Sequence, residues 1–103
     1  MLINKGYAEG DIVCFKLVNG DETVARIVED NTDAFVVAKP CTIVPSQRGL
    51  GLIQSLFAGE LNNNVMLNKN HVMMHSTVVD DIKNHYIQTT TGIQPVTKGS
   101  IIT

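Results

Sequence analysis

From Ile12 onward the chain alternates. Val13, Phe15 and Leu17 fall on one side, and Ile12, Cys14 and Lys16 on the other. A period of two is the pattern of a strand with two different faces. Gly10-Asp11 closes a short N-terminal arm before it, and Val18-Asn19-Gly20-Asp21 interrupts it. Asn-Gly tolerates the positive φ of a type I′ turn, so a tight antiparallel hairpin is predicted there. The second strand runs from Glu22 to about Asp30, with Thr23, Ala25 and Ile27 opposite in face to Val24, Arg26 and Val28. Asp30-Asn31-Thr32-Asp33 is a second turn cluster. It leads into a long third strand from Ala34 to Val44, which Pro40 should bend or bulge because proline has no N–H for the ladder.

Between Pro45 and Asn64 the pattern breaks. Ser46–Gly49 reads as a loop, Leu50–Phe57 is apolar without clean alternation, and Asn62-Asn63-Asn64 is turn-like. Val65–Leu67 and Val72–His75 read as strands four and five, joined by a turn at Asn68-Lys69-Asn70. A helix is predicted from about Val78 to Gln88. Thr77 stands in capping position, Asp80 and Asp81 suit the positive end of the helix dipole, and Val79, Ile82 and Tyr86 share one face. Thr89–Thr103, with Gly92, Pro95 and Gly99, reads as a flexible tail on a single domain spanning 1–103, with its core over about 10–88. No internal repeat is evident.

Composition narrows this picture. The 103 residues suffice for one mainly β domain; 44% are apolar, and with 5% aromatic residues and no Trp the core must rest on aliphatic side chains. A net charge of −2 excludes a protein that coats nucleic acid through a strong basic balance, so any such binding needs a local patch or repeated copies. Met1–Lys5 lacks the charged region and apolar run of a signal peptide, and no stretch approaches the roughly 18 apolar residues of a membrane helix. With Cys14 and Cys41 read as buried, reduced thiols, the expected compartment is the cytoplasm.

Five strands, an early Asn-Gly hairpin and a short polar turn between the last two resemble the layout of the Sm-like family. The stretch Val13-x-Phe15-x-Leu17-Val18-Asn19-Gly20 is similar to the family's first strand, and Ala25-Arg26-Ile27-Val28 to the strand that reaches its RNA-facing loop. Leu67-Asn68-Lys69-Asn70-His71-Val72 stands where the family carries Ile-Arg-Gly, a polar pair and Val. The wording Phe15-Lys16-Leu17-x-Asn19-Gly20-x-Glu22-x-x-Ala25-Arg26-Ile27-Val28 and the ending Tyr86–Ile93 resemble small Sm-like proteins of marine cyanophages, which would make the compartment the host cytoplasm. Here the helix follows the strands, whereas the family places one before them.

The resemblance implies a small, five-stranded, strongly bent open barrel and a homo-oligomeric ring. In such rings the fourth strand of one subunit pairs with the fifth of the next, which points to Val65, Met66 and Leu67 against Val72, Met73 and Met74. It also implies single-stranded RNA at the pore-facing turns. Asn31, Asp33 and Phe35, then Asn68 and Lys69, occupy the family's RNA-contacting positions. Asn31 would hydrogen bond a base edge, Phe35 would offer a stacking face and Lys69 would meet phosphate. The same residues also read as turn formers and, for Phe35, as core.

Catalytic and metal chemistry find little support. His71 and His75 lack the intervening Glu of a zinc-protease helix, and on a strand they would stand about 13 Å apart, too far for one ion. Cys14 sits mid-strand without a nucleophile signature, and Gly49-Leu50-Gly51 lacks the context of a nucleotide loop. No enzyme and no cofactor are expected. Leu50, Leu52, Ile53, Leu56 and Phe57 either pack on the domain's own core or form a patch for a protein partner; the second reading gives a ring-forming interaction module that does not bind RNA.

Overall fold

The computed structural model describes residues 6–47, 49–56, 58–59 and 63–91. Its strands are β1 (Ile12–Leu17), β2 (Glu22–Asp30), β3 (Ala34–Ser46), β4 (Gly49–Gln54), β5 (Val65–Asn68) and β6 (Val72–Thr77). A 3-10 turn, Lys69–His71, joins β5 to β6, and helix α1 (Asp80–Thr90) ends the described chain. The fold is mainly β, as the alternation predicts. All ladders are antiparallel, in the order β4-β3-β2-β1-β6, with β5 also paired to β3. Among the described residues no ladder joins the two ends of this order, so the sheet is not closed into a barrel.

Among the described residues there are six strands rather than five. The extra one is β4, whose residues Gly49–Gln54 pair in register with Ser46–Cys41 and turn the expected loop into a hairpin. Gly49 has φ 114°, so glycine suits that corner. Alternation is obscured in β4 because glycines hold two positions and Leu52 and Ile53 adjoin.

The first hairpin closes differently from a type I′ turn. Gly20 N–H donates to the Leu17 carbonyl (2.9 Å), which makes Val18 and Asn19 the central pair. Neither has positive φ; Gly20 does, at 96°. The left-handed residue therefore follows the central pair, as in a three-residue loop ending in a glycine bulge. Asn19 Oδ1 accepts the Asp21 N–H at 2.9 Å and fixes the corner.

The two faces of the sheet carry separate apolar clusters. Val13, Phe15, Ala25, Ile27, Phe35 and Val37 form one, with Tyr7, Leu17, Val65, Leu67 and Val72 packed against it. Ile12, Val24, Cys41 and Tyr86 form the other, joined by Cys14, Ile43, Leu52, Val78 and Ile82. These are the two faces predicted for β1 and β2, both buried because β5 and α1 lie on opposite sides.

β3 is the pivot of the fold. Its first part, Ala34–Val37, pairs with β5, and its last part, Cys41–Ser46, pairs with β4. Between them the register against β2 slips: Val24 faces Cys41 while Arg26 faces Ala38, two residues against three. This is the break anticipated at Pro40. Lys39 there takes φ 50°, the one positive φ outside glycine among the described residues. The bulge removes backbone partners from the ladder, and Tyr86 supplies them. Its hydroxyl proton is shared between the Ala38 and Lys39 carbonyls, both at 2.9 Å, and its oxygen accepts the Arg26 N–H at 3.1 Å. The ring is 1% exposed, and burial pushes the phenol up to about 12. Lys39 Nζ in turn donates to the Thr90 carbonyl (2.9 Å), placing a cation at the negative end of α1.

The helix starts two residues later than the pattern suggests. Thr77 cannot cap it because Thr77 pairs with Val13 in β6; Val79, with no side-chain cap, is the N-cap, and it is 68% exposed rather than facing the sheet. Val78 takes the inward place beside Ile82 and Tyr86. Asp80 and Asp81 occupy the first turn as expected. Of the expected tail, Thr89 and Thr90 belong to α1, and residues 92–103 lie outside the described residues. No helix among the described residues is long and apolar enough to cross a membrane.

Replacing Tyr86 by Phe keeps the ring and strands three backbone groups. It should cost about 1–3 kcal/mol in urea unfolding. A loss below about 0.5 kcal/mol would mean that the hydroxyl does not hold the bulge.

Candidate nucleic-acid interface

Asp30 ends β2 and ties two other segments to it. Lys69 Nζ from the β5–β6 turn lies 2.5 Å from its Oδ1, and the Tyr7 N–H from the N-terminal arm donates to Oδ2 at 2.9 Å. The approach of the arm depends on glycine: a Cβ at Gly6 would stand 2.4 Å from Asp30 Oδ2. Burial alone would raise the Asp30 carboxyl. The hydrogen bonds from Lys69 and Tyr7, together with the charges of Lys69 and His75, outweigh that and hold it below its ordinary value.

The two turns are also joined through backbone. Lys69 N–H donates to the Asp33 carbonyl at 3.0 Å, and Asn31 N–H closes its own turn onto the Ala34 carbonyl at 2.9 Å. Asn68 Oδ1 accepts the Asn70 N–H at 2.9 Å and thereby starts the 3-10 turn.

Behind these turns stands a group of rings. Phe15 and Phe35 lie 5.0 Å apart between centroids, and His75 meets Phe35 edge-on at 5.5 Å. Tyr7 packs at 6.2 Å from Phe35 and 5.4 Å from His75. The Tyr7 hydroxyl and His75 Nδ1 are 2.7 Å apart, a bond that orients both side chains. Burial raises the Tyr7 phenol above its ordinary value. Lys69 Nζ lies 4.5 Å above the Phe35 ring, within cation–π range. Around this group opens a groove of about 750 Å³, bordered by Gly6, Tyr7, Asn31, Lys69, Met73 and His75 among others.

The sequence-predicted contact residues fall in one region but play different parts. Asn31, Phe35 and Lys69 line the groove. Asp33 borders an adjoining hollow of about 570 Å³, whereas Asn68 lines neither space and is exposed, with its side chain capping the turn. Phe35 is 2% exposed and belongs to the core, so the accessible rings are those of Tyr7 and His75. Sequence reading missed Tyr7, Asp30 and His75. The arm before Gly10 carries no periodic pattern, and in the sequence His75 stands out only as a candidate ligand beside His71. His71 lies in the 3-10 turn, not on the strand with His75.

Of the two strands expected at a subunit contact, β6 borders the groove and β5 leads into the turn that carries Lys69. β5 pairs only with β3 and β6 only with β1 among the described residues, which leaves one edge of each unpaired. Val65, Leu67 and Val72 turn inward, while Met66, Met73 and Met74 are 71%, 61% and 63% exposed. At the other end of the sheet, Leu52 packs on the core and Leu50, Ile53 and Leu56 are exposed; Phe57 lies outside the described residues. Cys14 and Cys41 are free thiols, both raised by burial. Neither a family model nor a curated protein matches the sequence.

The Asp30 clamp gives a pH signature. Because its carboxyl is depressed in the folded protein, its contribution is full above the unfolded value of about 3.9 and is lost as pH falls through the folded value. Asp30→Asn should therefore unfold more easily than the parent at pH 7, and the gap should narrow toward acid in urea titrations. A gap independent of pH between 7 and 3 would show that the ion pair does not carry the clamp.

Proposed function

We propose that the chain is a non-enzymatic, ring-forming Sm-like domain that binds single-stranded RNA in the groove between its β2–β3 and β5–β6 turns. The observation that supports this most is the joining of those two turns through Asp30, Asp33 and Lys69 beside an open, ring-lined groove. Accessible rings offer faces on which bases stack, at about 1–3 kcal/mol per base. Lys69 has three N–H donors, of which one goes to Asp30, so it can reach a phosphate without leaving the clamp. A chain of net charge −2 needs many copies of so weak a site, and a ring supplies them.

The unpaired edges of β5 and β6 suit head-to-tail pairing of successive subunits. The groove includes Met73 and His75 of β6, so a ring built along these strands would set neighbouring grooves side by side. A second reading rests on Leu50, Ile53 and Leu56, exposed on and beside the edge strand β4. In that reading the ring holds a protein partner there and leaves RNA alone.

Light scattering combined with titration of fluorescent oligo(U) and oligo(A) tests both halves of the proposal. The expected result is a single oligomer with salt-sensitive binding. Lys69→Ala should weaken that binding and lower the slope of log affinity against log salt by roughly 0.7 for each lost phosphate contact. Asn31→Ala, at an exposed turn position, should weaken binding with no change in thermal stability. No binding of either oligonucleotide at low salt would remove the RNA reading and favour the β4 surface.

A further inference from the structure

Methionine ordinarily fills gaps in a core. Here neither apolar cluster contains one, and Met66, Met73 and Met74 all stand more than 60% exposed. They are also gathered on β5 and β6, two strands that each keep an unpaired edge among the described residues. Met66 points away from the core, since its neighbours Val65 and Leu67 are the residues of β5 that pack on it. Met74 faces Lys16 across the β1–β6 ladder, on the side of β1 opposite to Phe15 and Leu17. Met73 is the extra residue where that ladder slips: Leu17 faces Val72 and Lys16 faces Met74.

We propose that Met66, Met73 and Met74 are oxidation sites through which peroxide controls assembly of the protein, an inference that rests on subunit pairing along β5 and β6. If β5 of one copy lies beside β6 of the next, the outward faces of these strands bring Met66 and Met74 of successive subunits together at the seam. In the single chain these thioether sulfurs are exposed, so a small peroxide reaches them before the seam forms or whenever copies exchange out of it. A sulfur lone pair takes one peroxide oxygen, the O–O bond breaks and, with hydrogen peroxide, water leaves. Sulfur is oxidised by two electrons and the peroxide is reduced. The sulfoxide is polar and chiral, and it replaces an apolar contact with a group that demands water. Core packing is untouched because no methionine of either cluster is involved, so the consequence falls on association rather than on folding.

The test uses the full chain treated with hydrogen peroxide, followed by light scattering, peptide mass analysis and circular dichroism. The expected result is one added oxygen at each of the three methionines, a fall in mass toward the monomer and unchanged secondary structure, with mass restored by methionine sulfoxide reductase. A variant carrying Met66→Leu, Met73→Leu and Met74→Leu should keep its oligomeric mass under the same treatment. If the oligomer survives with all three residues oxidised, if they take up no oxygen, or if the leucine variant also dissociates and so implicates Cys14 or Cys41, the inference is overturned. A protein that is monomeric before peroxide is added instead overturns the pairing on which the inference rests.

Discussion

The break in β3 at Lys39–Pro40 is the constraint on which the arrangement depends. A straight strand of thirteen residues would offer one edge to one neighbour. Because the register slips at this point, the first half of β3 pairs with β5 and the second half with β4. The break exposes backbone groups that the ladder no longer satisfies, and a buried orphan of that kind costs about as much as a lost hydrogen bond. Tyr86 meets three of them with one hydroxyl, which ties α1 to the sheet; Lys39 holds the far end of the same helix. Local strain, strand pairing and helix docking are thus one coupled feature.

Its consequence for the candidate site is positional. With β5 held against the first half of β3, the turn that follows β5 arrives beside the turn that precedes β3, where Lys69 can reach both Asp30 and the Asp33 carbonyl. The N-terminal arm then closes on the same carboxylate, against which a Cβ at position 6 would press, and brings Tyr7 to His75. The groove is therefore assembled from residues distant in the chain. Its accessible chemistry is aromatic and polar, with its one ion pair internally neutralised.

Much of the sheet was legible because alternation in β1 and β2 was regular and the turns carried Asn, Gly and Asp. The bulge was legible too, since Pro40 interrupts an otherwise continuous strand. β4 was not, because glycine at two of its positions and adjacent Leu52 and Ile53 erase the period of two. The helix start was displaced because β6 uses Thr77 for pairing, a tertiary demand that overrides a local capping signal. At the candidate site, Asn31, Asp33, Asn68 and Lys69 stand in polar turn clusters that are conspicuous in the sequence, and the structure brings their two turns together. The roles of Asp30, Tyr7 and His75 were not legible, since they arise from contacts spanning 23 to 68 positions, which no local pattern encodes. Phe35 illustrates the converse: a ring expected as a stacking face is taken up by the core.

The most direct test is an amide chemical-shift map of the labelled protein titrated with oligo(U) at low salt. Binding in the groove predicts that Tyr7, Asn31, Thr32, Lys69, Met73 and His75 shift together, along one binding curve, while β4 stays still. Shifts confined to Leu50–Leu56, or none at all, would contradict it.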